Sequence, residues 1–335
     1  MSLIILAIES SCDETSAAII KDGTVVSNII ATQDVHKEFG GVVPELASRA
    51  HQQNIVPVVE KALKEAKIKK SELSAIAFTR GPGLLGALIV GTSFAKALAL
   101  GLEIPLIEVN HMQAHILSHF IEEPRPKFPF LCLTVSGGHT QIVLVNDFLK
   151  MKVIGETKDD AAGEAFDKSA KLLGLDYPGG PMIDNYAKLG DGNRFKFSKS
   201  KVPGYNYSFS GIKTSILYFL KDELKKDENF IKDNLPDLAA SIQQTIIEML
   251  SEKLELAAIE NKITDIAIAG GVSANSGLRN AISDIARKNN WQIYFPALEY
   301  CTDNAAMIAM AAHYKFHLKE FVSLDIAPLA RMPLN

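Results

Sequence analysis

The chain of 335 residues predicts an α/β protein with two duplicated lobes. Short apolar runs bounded by glycine alternate with longer stretches of helical spacing, which marks sheets layered with helices. A pattern of strand, small polar turn, threonine and strand occurs twice, about 125 residues apart. The length suffices for two domains of ordinary size or one large one, with enough buried surface to fold without disulfides.

The first expected strand, residues 3–8, is an apolar run that ends at Glu9 and Asp13. It is too short to span a membrane and lacks the basic flank and cleavage site of a signal peptide, so a buried strand is expected. Strands at 16–20 and 25–30 follow, then a helix over 51–67 and a strand at 75–79. A helix over 84–100 precedes a strand at 105–109. Further strands fall at 130–135, 141–145, 152–154, 266–269 and 292–295. Ile242, Ile246, Leu250, Leu254 and Ala257 recur at helical spacing, which predicts a helix over 241–261 with one face on a sheet. A last periodic stretch predicts a helix over 276–289.

The formal net charge is -4 and the pI is near 6.1, so bulk charge does not recruit nucleic acid; any such contact must be local or shared with a partner. Cys12, Cys132 and Cys301 are far apart, odd in number and match no metal-ligand or C-x-x-C spacing. They point to a reduced cytosolic setting and read as packing residues, although the polar loop around Cys12 would also suit a nucleophile.

Three local patterns carry chemistry. In Asn110-His111-Met112-Gln113-Ala114-His115 the two imidazoles share a helix face one turn apart, in reach of one metal ion. Zinc proteases of the H-E-x-x-H type carry their general base beside the first histidine, and here that position is Met112. Alone, the pair reads equally as a metal site without a hydrolytic base or as a coincidence of helical spacing. The second pattern is the repeated hairpin, once through Glu9-Ser10-Ser11-Cys12-Asp13-Glu14-Thr15 and once through Ser136-Gly137-Gly138-His139-Thr140. Amides and hydroxyls at such tips can hold phosphate oxygens, so two copies suggest lobes that face a cleft; a plain hairpin turn also satisfies each copy. The third is the strand that ends in Gly270-Gly271-Val272-Ser273-Ala274-Asn275 and enters a helix. It lets a ligand approach the backbone at a helix start, or it is a simple turn; it has neither P-loop nor dinucleotide spacing.

Together with Val135-Ser136-Gly137-Gly138-His139-Thr140, Ala162-Gly163-Glu164-Ala165-Phe166-Asp167-Lys168 and Tyr177-Pro178-Gly179-Gly180-Pro181, these motifs resemble, in order and from residue 3 to about 333, those of the TsaD family of tRNA N6-adenosine threonylcarbamoyltransferases. That family was once described as sialoglycoprotein endopeptidases. The resemblance implies a two-lobed actin-like, sugar-kinase-like and Hsp70-like ATPase fold around a nucleotide cleft. Residues 1–116 would form the N-terminal lobe, rejoined by a helix and tail at about 303–335, and residues 117–302 the C-terminal lobe. It implies a cytoplasmic acyltransferase that moves the threonylcarbamoyl group from threonylcarbamoyl-adenylate to the N6 amine of adenosine 37 in tRNAs reading ANN codons, with release of AMP.

The resemblance also implies one divalent metal per subunit on His111, His115 and Asp303, iron(II) before zinc; by itself Asp303 reads as a helix N-cap. Thr134, Val135, Ser136, Gly137 and Gly138 would lie against the phosphate and threonylcarbamoyl region of the adenylate, or of ATP or ADP. Asp167 and Asp184 would receive ribose hydroxyls, Gly180 would let adenosine approach, and Asn275 completes the nucleotide side. The attacking amine must lose a proton, for which Asp13 is the expected acceptor and Glu9 the runner-up; hydrogen bonding within the turn fits both equally. Expected partners are tRNA, a TsaB-like paralogue against the helices around residues 44–66 and a TsaE-like ATPase, with no membrane. Arg194-Phe195-Lys196-Phe197-Ser198-Lys199-Ser200-Lys201, followed by Tyr205 and Tyr207, interleaves cations with rings as a single-stranded RNA loop requires, or forms a solvated basic loop. Of the rival readings, Met112 counts against a metalloprotease and the histidine pair against a small-molecule kinase.

Overall fold

The structure is a computed structural model that describes residues 2–334 and divides them into two compact units. Unit 1 holds the chain up to Arg125, a short segment at 146–151 and everything from Pro296; unit 2 holds Pro126–Val145 and Lys152–Phe295.

The sheet of unit 1 contains β1 (Ile4–Glu9), β2 (Thr15–Lys21), β3 (Thr24–Ala31), β4 (Ala75–Gly81) and β5 (Leu106–Asn110), in the order β3-β2-β1-β4-β5. β1 and β2 are antiparallel, with Glu9 opposite Ser16, while β4 runs parallel to both β1 and β5. Every residue of β1 is buried, as a central strand covered on both faces requires. Three helices follow in this unit: α1 (Pro44–Ala66), α2 (Leu85–Leu102) and α3 (His111–Leu117). α1 starts at Pro44 instead of residue 51, because proline at the first helical position lacks only an N–H that would have no partner there, and it ends at Lys67 in the left-handed conformation.

The second sheet contains β6 (Phe130–Val135), β7 (Thr140–Asp147), β8 (Lys150–Glu156), β9 (Asp265–Ala269) and β10 (Gln292–Tyr294), in the order β10-β9-β6-β7-β8. β6 and β7 pair antiparallel and β9 lies parallel to β6. Read from β8, this is third, second, first, fourth, fifth, the same order as in the first sheet. The duplication glimpsed in the two hairpins is therefore one of whole-sheet topology. Around it stand α4 (Ala162–Leu172), α5 (Gly179–Ala187), α6 (Ser210–Leu224), α7 (Phe230–Asn261) and α8 (Ser276–Asn289). The chain then returns to unit 1 with α9 (Ala305–His317).

α7 begins eleven residues before the expected start at 241 and runs through Pro236. Its carboxylates and the core beneath it correct the reading of the basic segment before α6. Phe197 and Tyr207 are buried in the unit 2 core and Phe195 packs against it, so these rings serve the core rather than stack on bases. Arg194 pairs with Asp237, and Lys199 reaches Glu248 and Glu252, both at 2.6 Å, all three carboxylates standing on α7. The segment braces α7, and the RNA-stacking expectation fails on that ground.

The start of α6 depends on one side chain. Asp159 accepts hydrogen bonds from Ser208 Oγ (2.6 Å), Ser210 Oγ (2.8 Å), Phe209 N (2.7 Å) and Ser210 N (3.2 Å). Burial opposes its charge, but these four donors hold its carboxyl below the ordinary carboxylate range. A depressed folded pKa contributes stability above the unfolded pKa that is lost as pH falls through the folded one. Asp159→Ala is expected to cost about 1–2 kcal/mol near neutral pH, the range for a lost cap. In paired thermal melts, the gap between wild type and variant should close as pH drops below the carboxylate range, and a gap constant with pH would show that the charge is irrelevant.

Candidate metal centre and ligand-facing helix starts

The candidate metal centre of unit 1 and the carboxylate behind it are assembled on three element ends. β1 ends on Glu9, α3 begins on His111, and Asp303 lies two residues before α9. α3 is held by Asn110, whose side-chain oxygen accepts from Met112 N (2.9 Å) and Gln113 N (3.2 Å). α9 is held by Asn304, which accepts from Met307 N at 3.1 Å, while Ser16 and Asn28 receive the two helix amides before it, those of Ala305 and Ala306. The cap is therefore Asn304, and Asp303 is left free to turn its carboxylate toward the histidines. This corrects the N-cap reading of Asp303.

His111 Nε2 and His115 Nε2 lie 3.3 and 3.1 Å from Asp303 Oδ1, and the rings stand edge to face with centroids 4.6 Å apart. Nitrogen and oxygen ligands around one ion at bonds of about 2.1 Å are separated by roughly 3.0–3.4 Å, so the spacing fits a shared cation. A candidate ligand atom from each of the three residues lies within 4.8 Å of the others. On its far side His111 directs Nδ1 to Glu9 Oε2 at 3.1 Å, with Ser11 Oγ at 3.2 Å. A proton on Nδ1 donated to Glu9 leaves the Nε2 lone pair for a metal, the usual way an outer carboxylate sets a ligand's tautomer. His115 Nδ1 is buried without a hydrogen-bond partner.

The electrostatics ask for a cation. Glu9, Asp13, Glu14 and Asp303 act on one another here, and His111 offsets them most, with His115 adding to it at Asp303. Burial opposes charge on His111, yet Asp303 and Glu9 on its two sides raise its pKa well above the ordinary value, and both carboxyls are lowered in turn by it. His115 is pushed down by burial and by the charge on His111. Glu14 is pushed up to about 10, first by burial and then by Asp303, Asp13 and Glu9, so it is protonated at neutral pH; the sequence reading had assigned it nothing.

Two expectations about side chains change. Glu9 is fully buried, and its oxygens accept from Ser11 N (2.5 Å), Thr79 Oγ1 (2.6 Å) and His111 Nδ1 (3.1 Å). Its geometry is that of a group that orients His111 and not of one open to a substrate proton. The Cys12 thiol is driven upward by burial and by Asp13, Asp303 and Glu14, which keeps it protonated. Its neighbour His51 turns its two nitrogens to Thr15 Oγ1 (2.8 Å) and the Cys12 carbonyl (3.0 Å), so the nucleophile reading of Cys12 falls. Asp13 stays half-buried and hydrogen-bonds Glu14. Met112 is buried in the core.

In unit 2 the expected ligand residues gather around two helix starts. Asp167 Oδ1 accepts from Gly179 N (2.8 Å) and Gly180 N (3.3 Å) at the first turn of α5, and burial raises its pKa against these bonds. One turn along α5, Asp184 accepts from Ser276 Oγ (2.8 Å) and Ser276 N (3.2 Å) at the first turn of α8. Asn275 caps the same helix through Leu278 N (2.9 Å) and donates to Gln243 at 2.7 Å. A Cβ on Gly180 would meet only Phe166 Cβ, at 3.9 Å, so its bareness has no packing cause.

At the tip between β6 and β7, Thr134 and Val135 are fully buried and can offer only backbone. Ser136 accepts from His139 N at 3.1 Å, while Gly137 and Gly138 are exposed with open space about them. Two glycines the sequence reading left without a packing role shape this tip. A Cβ on Gly163 would lie 2.6 Å from Ser136 O, and one on Gly270, at φ +87°, 2.5 Å from Val135 O.

The fold and the site thus define an actin-like, sugar-kinase and Hsp70-type α/β protein carrying a possible His-His-Asp metal site. T. kodakarensis HypF has the same fold, with a TM-score of 0.64 at 13% identity over 96% of this chain and 49% of that one. The chain belongs to the TsaD family, tRNA N6-adenosine threonylcarbamoyltransferase, whose model matches residues 24–310. Relatives that carry this enzyme name include those of Christiangramia forsetii, 62% identical over 98% of this chain and 97% of the relative, and Riemerella anatipestifer, 62% identical over 99% and 98%.

Removing the outer carboxylate should weaken the metal without emptying the core. Glu9→Gln is expected to lower Co(II) affinity by about 10–100-fold, the usual cost of a lost outer partner. Competition titration with a chelator reads the change, and an unchanged affinity would mean that Glu9 does not set the tautomer of His111.

Proposed function

We propose that this chain catalyses formation of N6-threonylcarbamoyladenosine, moving the threonylcarbamoyl group from threonylcarbamoyl-adenylate to the N6 amine of adenosine 37 in tRNAs reading ANN codons. The observation that carries the reading is 62% identity over nearly the whole chain to enzymes of that name, together with a His-His-Asp donor set. The amine attacks the carbamoyl carbon, the bond from that carbon to the phosphate oxygen breaks, and AMP leaves with the electron pair.

His111, His115 and Asp303 would hold the metal, iron(II) first and zinc next, since two imidazoles and a carboxylate suit both. When bound, the metal supplies a Lewis acid for phosphate and carbonyl oxygens. Glu9 holds the tautomer of His111. Asp13 takes the proton of the attacking amine, its carboxyl being half-buried in the cluster and not spent on His111, whereas burial and its neighbours keep Glu14 protonated. In unit 2, the amides of Gly137 and Gly138 serve phosphate or carbonyl oxygens, with Thr134, Val135 and Ser136 shaping the tip. Asp167 and Asp184 accept from ribose hydroxyls with the lone pairs their helix caps leave over, Asn275 secures α8 beside them, and Gly180 admits the adenosine; ATP or ADP would use the same residues.

For partners, we infer tRNA, a TsaB-like paralogue and a TsaE-like ATPase. α2 is long and apolar enough to cross a membrane by length and composition, but Ala87, Leu88, Gly91, Thr92, Ala95 and Ala99 on it are buried in unit 1. Its opposite face leaves Leu85 and Ile89 exposed, as α1 leaves Val56, and this supports a protein contact there rather than a membrane. A cytoplasmic location suits both substrates.

The deciding assay supplies threonylcarbamoyl-adenylate and unmodified tRNA to the metal-loaded protein, with and without the paralogue, and analyses the nucleosides by mass; absence of the modified nucleoside in both arms rejects the reading. Asp13→Asn should slow single-turnover transfer by about 10²–10⁴-fold, the usual share of a proton acceptor, and full activity would clear Asp13 of that role. Gly180→Ala should melt with wild type yet bind the adenylate or AMP at least tenfold more weakly, whereas equal binding would remove Gly180 from the nucleoside surface.

A further inference from the structure

The short helix that carries both histidines is tied to a segment far away in sequence. Asn110 uses its amide in two directions: its oxygen caps α3 through Met112 N and Gln113 N, and its nitrogen donates to Pro333 O at 3.0 Å. α3 is seven residues long, too short to be stable through its own hydrogen bonds, so the cap fixes where its first turn points. His111 is the first residue of that turn.

Pro333 lies near the end of a strap laid across β4 and β5. Val322 bridges to Leu106, Lys96 Nζ donates to Ile326 O, and Arg80 Nε donates to Ala327 O at 3.0 Å while its guanidinium holds Glu108 at 2.6 Å. Leu329 N then donates to Arg80 O at 2.8 Å and Gly83 N to Ala330 O at 3.2 Å. The sheet is built to admit it. Gly81 lies at φ +155°, and a Cβ there would stand 1.9 Å from Leu329 O. Nothing larger than a bare α-carbon lets the strap pass.

We propose that Asn110 is a positioning residue and that the strap formed by residues 329–333 holds it, so that the affinity of the His111–His115–Asp303 site depends on a segment that touches no ligand atom. The proposal rests on the metal reading of that triad. The strap keeps the Asn110 amide facing α3, the cap keeps the first turn in place, and the turn keeps His111 Nε2 directed to Asp303. Freed of Pro333, the amide can rotate between its rotamers, and the first ligand moves with it.

The test is Co(II) binding followed by absorption and by chelator competition, on wild type and three variants. Ending the chain after Ala330 removes the Pro333 acceptor and leaves Asn110 intact. Asn110→Ser keeps a helix cap but cannot reach Pro333, and Gly81→Ala displaces the strap upstream. All three should keep wild-type secondary structure by circular dichroism, bind Co(II) several-fold to about tenfold more weakly, below the full range for a direct outer partner, and shift its ligand-field bands. Asn110→Ala, which loses cap and strap together, should be weaker than Asn110→Ser. Wild-type affinity and spectrum in the truncated and Asn110→Ser proteins overturn the proposal while leaving the metal reading intact. Failure of the wild type itself to bind, or binding unaffected by His111→Ala, overturns the metal reading and the proposal together.

Discussion

The carboxylate of Glu9 has no contact with solvent, and much of unit 1 is arranged to make that tolerable. A buried charge without partners is costly enough to unfold a domain, so it persists only where donors converge on it. Three do: Ser11 N from the turn after β1, Thr79 Oγ1 from β4 and His111 Nδ1 from α3. One side chain thus ties a hairpin turn, a parallel neighbour strand and the metal helix to a common point. Asp303 then approaches the other nitrogen of the same imidazole. Burial first, and then the negative charge of Asp303 and Asp13 close by, push the Glu14 carboxyl and the Cys12 thiol upward, so both hold their protons. A divalent cation on the triad would offset that charge.

The caps show a second economy. Of the nine α-helices among the described residues, three begin on a side-chain cap of their own, and in each it is an asparagine: Asn110 on α3, Asn275 on α8 and Asn304 on α9. Each of these helices starts where an expected site residue lies: His111, Asn275 itself or Asp303. An N-cap contributes about 1 kcal/mol, modest against the whole fold, but it acts at the helix end where frame and direction are decided. Helices that only fill the core have no such cap, since apolar packing fixes a long helix better than it fixes a first turn.

How much of this could be read from the chain depends on how local each signal is. The histidine pair was legible because helical spacing alone puts both rings on one face, and the repeated hairpin was legible because strand, turn and threonine are neighbours. Asp303 was not legible as a partner of the histidines without a family resemblance. It lies 188 residues from His115, and in the chain it looks like the cap that its neighbour Asn304 in fact supplies. The basic aromatic segment misled for the same reason: Arg194 and Lys199 are answered by Asp237, Glu248 and Glu252 on α7, and Phe197 and Tyr207 are covered by the core. The early starts of α1 and α7 were hidden by Pro44 and Pro236, residues that interrupt a periodicity count more than they interrupt a helix near its N-terminus.

The two sets of expected residues differ in what their side chains already do. In the triad of unit 1, His111 is held from outside by Glu9 and Ser11, and both histidines turn Nε2 to Asp303. In unit 2, Asp167, Asp184 and Asn275 each spend hydrogen bonds on the starts of α5 and α8. Loss of any of them would release helix amides as well as any ligand contact, so weakened binding in such a variant mixes stability with recognition. Gly180 is different. Its α-carbon has room for a methyl group and its backbone is not in the left-handed region, so Gly180→Ala changes the surface there without disturbing packing. In unit 2 the most informative position is therefore the one that makes no side-chain contact.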